Sequence, residues 1–258
     1  MTHAPEPARS RRGHIIAIAS GKGGVGKTWL AITLAHALAR SGQRVLLFDG
    51  DLGLANVDVQ LGLMPDGDLG DVLTGRLPLE RVLLHHEGGF DILPGRSGSG
   101  SLASLDPAGL ERVLGALRQA AQDHHTIVLD LGAGLDAAQR RMAAFADTLL
   151  VVATEEPTSL TDAYAVLKLY AIDIGAPRTG DARIVVNQAG TVAAGERTFA
   201  ALQRACSTFL GHAPPLAGII RRDDRVRDAI RRQTLLLTRH PTTHAAADVE
   251  AIAGKLAA

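Results

Sequence analysis

A doubly wound α/β domain, with one mostly parallel sheet and helices on both of its faces, is what the sequence predicts. Three observations carry that expectation. Short apolar runs alternate with amphipathic stretches from residue 14 onward. Those runs are near-continuously hydrophobic, as in strands buried on both faces. The first of them passes through a glycine-rich turn straight into a helical pattern. Residues 1–13, rich in Pro, Arg and Ser, read as a disordered arm, and 14–258 as one domain. Residues 15–19 (IIAIA) make the first strand. Leu30, Leu34 and Leu38 recur every four residues, so 27–41 is a helix, closed by Ser41-Gly42. The second strand, 45–48, ends at Asp49. Further strands are expected at 90–93, 126–130, 148–153, 183–187 and 216–220. Helical patterns at 107–122, 135–146, 159–173, 194–210, 223–232 and 243–257 separate most of them. RSGSGSLASLD (96–106) reads as a flexible loop, because strands resume after it on the same rhythm. No internal repeat occurs.

Composition excludes several classes. With 27 basic and 27 acidic residues, no net charge advertises a nucleic-acid or membrane partner. The single cysteine, Cys206, rules out an internal disulfide and a self-contained four-cysteine metal site; within an apparent helix it reads as a small buried apolar residue. The longest bulky run, 149–153, is far too short to span a bilayer, and no apolar leader precedes the first strand. A cytoplasmic protein is expected. Only four of the basic residues are lysines, and two of these, Lys22 and Lys27, fall within six residues of each other.

Those two lysines sit in Gly21-Lys22-Gly23-Gly24-Val25-Gly26-Lys27-Thr28, which satisfies G-x-x-x-x-G-K-[ST] between a strand and a helix. The spacing has a physical purpose. Glycines let the backbone N–H groups of Gly23, Gly24, Val25 and Gly26 turn inward on a β-phosphate, and the helix start adds its positive end. Lys27 then bridges the β- and γ-phosphates, and the Thr28 hydroxyl ligates Mg²⁺, so ATP with Mg²⁺ is the expected cofactor and ATP hydrolysis the expected reaction. Trp29 follows directly and is placed with the nucleotide-binding residues. Asp130 leaves the apolar run 126–129 at the position where a carboxylate holds Mg²⁺ through water, and the Gly132 and Gly134 region can offer amides to the γ-phosphate.

With its second loop lysine, K-G-G-V-G-K-T resembles the deviant phosphate loop of the MinD/ParA ATPase family. The segment Asp49-Gly50-Asp51-Leu52-Gly53-Leu54-Ala55-Asn56-Val57-Asp58 is similar to that family's switch I, D-x-D-x-G-L-x-N-x-D. The resemblance implies that Lys22 reaches the phosphates of a partner subunit in an ATP-bound homodimer. It further implies that Asp51 orients or deprotonates the attacking water, that Asp49 supports the magnesium shell, and that Asn56 and Asp58 lie on a surface touched by partner activators. Within the family, E-P-T-S-L-T-D-A-Y-A (156–165), D-L-G-A-G (130–134), V-V-N-Q (185–188) and Asp223 to Gln233 resemble the FlhG/FleN regulators of flagellar number and placement. By that match Asn187 contacts adenine and Asp162 links the nucleotide to the dimer interface, while Thr158 and Ser159 also suit a helix N-cap. The implied partners are flagellar components or an FlhF-like GTPase, with recruitment to the cell pole or the inner membrane face.

Two departures qualify the resemblance. Residues 1–13 contain no D-Q-A-x-x-L-R segment, which FlhG proteins use to stimulate that GTPase. The last helix carries Asp248, Glu250 and Lys255 on its polar face and no aromatic, so it reads as packing on the core, with membrane binding weak or absent. Six arginines between 221 and 232 stand among three aspartates; non-specific DNA is a candidate ligand there, although such a run is more often a solvated helix face. His85-His86 and His124-His125 read as exposed loop residues without metal-ligand spacing.

Overall fold

The computed structural model describes residues 12–51, 53, 55–95, 106–175 and 180–257. Most of the arm expected at 1–13, residues 96–105 of the loop expected at 96–106, and two residues of the expected switch I, Leu52 and Leu54, lie outside the described residues.

One eight-stranded sheet runs in the order β3-β4-β2-β5-β1-β6-β7-β8. Its strands are β1 (His14–Ser20), β2 (Val45–Gly50), β3 (Leu84–His86), β4 (Phe90–Leu93), β5 (Thr126–Ala133), β6 (Thr148–Ala153), β7 (Asp181–Ala189) and β8 (Leu216–Arg221). Every neighbouring pair is parallel except β3 with β4. The helices are α1 (Lys27–Arg40), α2 (Val57–Leu61), α3 (Leu69–Leu73), α4 (Leu79–Val82), α5 (Pro107–Asp123), α6 (Ala137–Phe145), α7 (Pro157–Ile174), α8 (Val192–Leu210), α9 (Asp224–Arg231), α10 (Leu236–Arg239) and α11 (His244–Ala257).

Successive side chains of a strand face opposite ways, so each central strand feeds two cores. Ile15, Ala17 and Ala19 of β1 join the layer covered by α5 to α8, while Ile16 and Ile18 join the layer covered by α1 and α11. The apolar stripe of α11, including Val249, Ile252 and Ala253, is buried in that second layer. Cys206 is fully buried. No helix among the described residues is long and apolar enough to cross a membrane.

The histidine pairs meet expectation in part: His85 and His125 are exposed, whereas His86 is half-buried and His124 buried. His85 and His86 belong to β3, an antiparallel edge strand that follows α4. His86 stacks on Phe90 at 5.0 Å. His124 is buried, its ring bonded to the Ala120 carbonyl and the Asp91 carboxylate. Asp91, which holds the His124 ring from β4, lies 33 positions away in the chain, so the local sequence does not signal that contact.

Strand order positions the site. β1 leads to α1 and then to β2 two places away, with β5 between them, and the later strands continue on the opposite side of β1. Connections therefore diverge at the C-terminal end of β1, where open α/β sheets leave a crevice for ligands. Register does the rest: Asp49 and Asp130 are paired directly across β2 and β5 at that same end.

Candidate nucleotide site

The turn after β1 is built for close approach to a ligand. Gly24 and Gly26 have φ of 78° and 90°, which L side chains rarely adopt. Gly26 is also the N-cap of α1, and a Cβ there would come within 2.6 Å of the Asn187 amide nitrogen. Above Gly23 and Gly24, by contrast, nothing lies within 4 Å, which leaves the face of the loop open for phosphates. Val25 and Lys27 are buried, and the Lys27 ammonium donates to the Ser20 hydroxyl at 2.9 Å.

Carboxylates converge on the same crevice. Asp130 is buried and accepts from the Thr28 hydroxyl, but its Oδ1 has no partner. Burial, reinforced by the neighbouring Asp49, raises its pKa, against the pull of Thr28 and Lys27. Burial lowers the pKa of Lys27, and Asp130 and Asp51 oppose that shift. An orphaned carboxylate oxygen beside a hydroxyl is a donor set suited to a hard cation with oxygen ligands, so Thr28 and Asp130 fit Mg²⁺.

Asp49, expected to support the magnesium shell, is buried beside Asp130 and also holds backbone. Its carboxylate is pushed up to about 6, chiefly by burial. Its oxygens accept from the backbone N–H groups of Asp51 at 3.2 Å, Asn56 at 2.9 Å and Val57 at 3.0 Å. Asp49 therefore ties the start of α2 to the end of β2. Asn56 is exposed and Asp58 partly so, both in the first turn of that helix. Asp51, two residues on, stands over Gly132: a Cβ on Gly132 would lie 3.1 Å from the Asp51 carboxylate and 2.8 Å from Gln139 Nε2. Gly134, with φ 123°, donates its N–H to the Ser20 carbonyl, which draws the second acidic segment onto the phosphate loop.

Lys22 points elsewhere. Its ammonium bonds Glu156 at 2.5 Å and the Thr158 hydroxyl at 3.0 Å, at the start of α7. The helix begins two residues earlier than expected: Glu156 is the N-cap and Pro157 the first residue, because proline suits that position and has no N–H to satisfy. Ser159 instead accepts the Thr154 N–H at 3.0 Å. Asp162 packs its backbone against Gly21, where a Cβ would meet the Asp162 carbonyl at 2.5 Å.

Beside the loop lies a cavity of about 280 Å³, lined by Trp29, Asn187, Gln188, Ile220, Arg222 and Val226 among others. Apolar walls with a few polar groups suit a purine base. Asn187 is committed to the scaffold as well: its amide donates to the Val25 carbonyl at 2.7 Å and accepts the Gln188 N–H at 2.8 Å. Gln188, at φ 57°, reaches the Gly24 carbonyl at 3.2 Å. Together these two side chains brace the glycines from behind.

Sequence reasoning missed Ser20, Gln139, Glu156 and Gln188. Glu156 and Gln188 stood inside quoted motifs without a role. Gln139 carried no signal, since its neighbours come from β2 and β5.

Comparison with known proteins agrees with this geometry. The profile of CbiA, the CobQ/CobB/MinD/ParA nucleotide binding domain, matches residues 16–236. The chain is 39% identical over 242 residues to the antiactivator FleN of Pseudomonas aeruginosa, covering 94% of this chain and 85% of that protein. It is 37% identical over 161 residues to the flagellum site-determining protein YlxH of Helicobacter pylori, covering 60% of this chain and 52% of that protein. Among solved structures, the septum site-determining protein MinD of Pyrococcus horikoshii complexed with Mg-ADP superposes with a TM-score of 0.77 at 25% identity, covering 95% of this chain and 96% of that one.

Proposed function

Because the chain belongs to the CobQ/CobB/MinD/ParA nucleotide-binding family, in its MinD/ParA branch of ATPases, we propose that it is an ATP-driven dimerising switch that regulates flagellar number or placement. The observation that carries this reading is the direction of Lys22. Lys27 is buried toward its own crevice, whereas Lys22 turns outward to Glu156 and Thr158, where it is free to exchange those partners for the phosphates of a second copy. Similarity to FleN and YlxH supplies the flagellar context.

In this reading the loop amides and Lys27 hold the triphosphate, and the cavity beside Trp29 takes the base. Thr28 and Asp130 would hold Mg²⁺, which would supply charge neutralisation at the phosphates. Asp51 accepts a hydrogen from the attacking water. Asp49 carries the state of the crevice into α2, where Asn56 and Asp58 face prospective partners such as an FlhF-like GTPase or flagellar components. A protein with this role would act in the cytoplasm, at the cell pole or the inner membrane face. The alternative reading, a ParA-like ATPase that segregates DNA or cargo, draws less support, because Arg221 is held by Asp248 and Arg232 by Asp228, which neutralises part of the basic run.

Light scattering with ATP and Mg²⁺ tests the switch. Wild type is expected to double its mass, and Lys22→Ala to remain monomeric. Glu156→Ala, which removes the competing carboxylate, is expected to dimerise at ~2- to 5-fold lower protein concentration, the range open to an exposed ion pair. A Lys22→Ala protein that dimerises like wild type contradicts the reading. For the cellular role, electron microscopy of cells lacking the gene is expected to show altered flagellar counts, restored by wild type and not by Lys22→Ala.

A further inference from the structure

Gln139 lies in the first turn of α6, behind Asp136, whose carboxylate caps that helix by accepting the Ala138 and Gln139 N–H groups at 3.0 Å each. Its side chain is buried, with 8% of the residue exposed. Nε2 donates to the Gly50 carbonyl at 3.3 Å, in the peptide immediately before Asp51. Nε2 also crowds the point on Gly132 that the Asp51 carboxylate crowds, so Gln139, Asp51 and Gly132 meet at one spot. The other end of the amide is unpaid for: Oε1 is buried and has no hydrogen-bond partner.

A buried carbonyl oxygen without a partner costs about 1–3 kcal/mol. Methionine is close in shape and avoids that cost, giving up only the long 3.3 Å bond to Gly50, so stability alone does not account for glutamine at this position. We propose that Gln139 is a positioning residue for ATP hydrolysis. By holding Gly50 from below and filling the space beneath Gly132, it fixes Asp51 against the second acidic segment, so that the carboxylate keeps one orientation toward the attacking water. This rests on the hydrolysis reading above and adds to it a residue from α6, an element outside the phosphate loop and both acidic segments.

Gln139→Met tests the proposal in the full-length protein, with steady-state phosphate release, calorimetric ATP binding and thermal unfolding measured together. The expected result is a fall in kcat of at least 10-fold, ATP affinity within about threefold of wild type, and a melting temperature equal to or above that of wild type. Combined with Asp51→Ala, it should lower kcat no further than Asp51→Ala alone. Gln139→Glu, which keeps the length but loses the donor to Gly50, should fall likewise in kcat. Turnover equal to wild type in Gln139→Met overturns the proposal alone. So does a joint loss of melting temperature, affinity and kcat, which marks a structural role. Wild type that binds ATP and releases no phosphate overturns the hydrolysis reading itself, and the proposal with it.

Discussion

Lys27→Ala is expected to lose affinity for ATP by ~100-fold or more in calorimetric titration with Mg²⁺ present. The argument is electrostatic. Lys27 is 8% exposed, and its ammonium sits at the mouth of the loop on a weak partner, the Ser20 hydroxyl. Replacing that neutral partner with two phosphate oxygens makes charge-assisted hydrogen bonds worth about 1.5–3 kcal/mol each, and losing two of them gives a factor of this size. Burial in the free protein strengthens the case, because the desolvation of the ammonium is already incurred before ATP arrives. Lys27→Arg is expected to fail as well, since the planar guanidinium has no room where lysine is this enclosed. Circular dichroism should report an unchanged fold in both variants. An affinity within threefold of wild type would contradict the assignment of the phosphate loop.

Asp51→Ala is expected to separate binding from turnover. Phosphate release should fall by ~100-fold or more, the range over which a positioned acid–base group acts, while ATP affinity stays within a few-fold of wild type. The separation follows from placement. Asp51 stands over Gly132, whereas the cradle is formed by Gly23, Gly24 and Gly26 on another strand end. Dimers formed with ATP should then persist in light scattering where those of wild type decay. Asp49 offers the contrast. Its carboxylate holds three backbone N–H groups and anchors α2, so its removal would unsettle local structure along with chemistry. Equal loss of affinity and turnover in Asp51→Ala would sink the assignment.

Long elements and the chemistry at strand ends were legible because both follow local rules. Leu30, Leu34 and Leu38 wrote α1, and an apolar run ending in Asp130 wrote the body of β5, which continues to Ala133. The elements that escaped are those too short to carry a period. α2, α3, α4 and α10 have five residues or fewer, little more than one turn each, and β3 has three residues. Two of them have their starts capped by carboxylates: Asp49, from β2, receives the first amides of α2, and Asp68 and Asp71 cap the start of α3 reciprocally. Within the site, Gly21 to Thr28 was readable as a motif. The brace behind it was not, because Asn187 and Gln188 reach Val25 and Gly24 across more than 160 positions of chain. Lys22 stood out as a lysine, but its hold on Glu156 depends on β1 and β6 lying side by side.

Trp29 is the chain's one tryptophan, its indole nitrogen is buried without an acceptor, and its ring forms a wall of the cavity beside the loop. All indole emission from this molecule therefore arises at a single spot, next to the bed proposed for the base. The protein carries its own optical gauge of occupancy, with no dye to attach and no second chromophore of its kind to blur the signal.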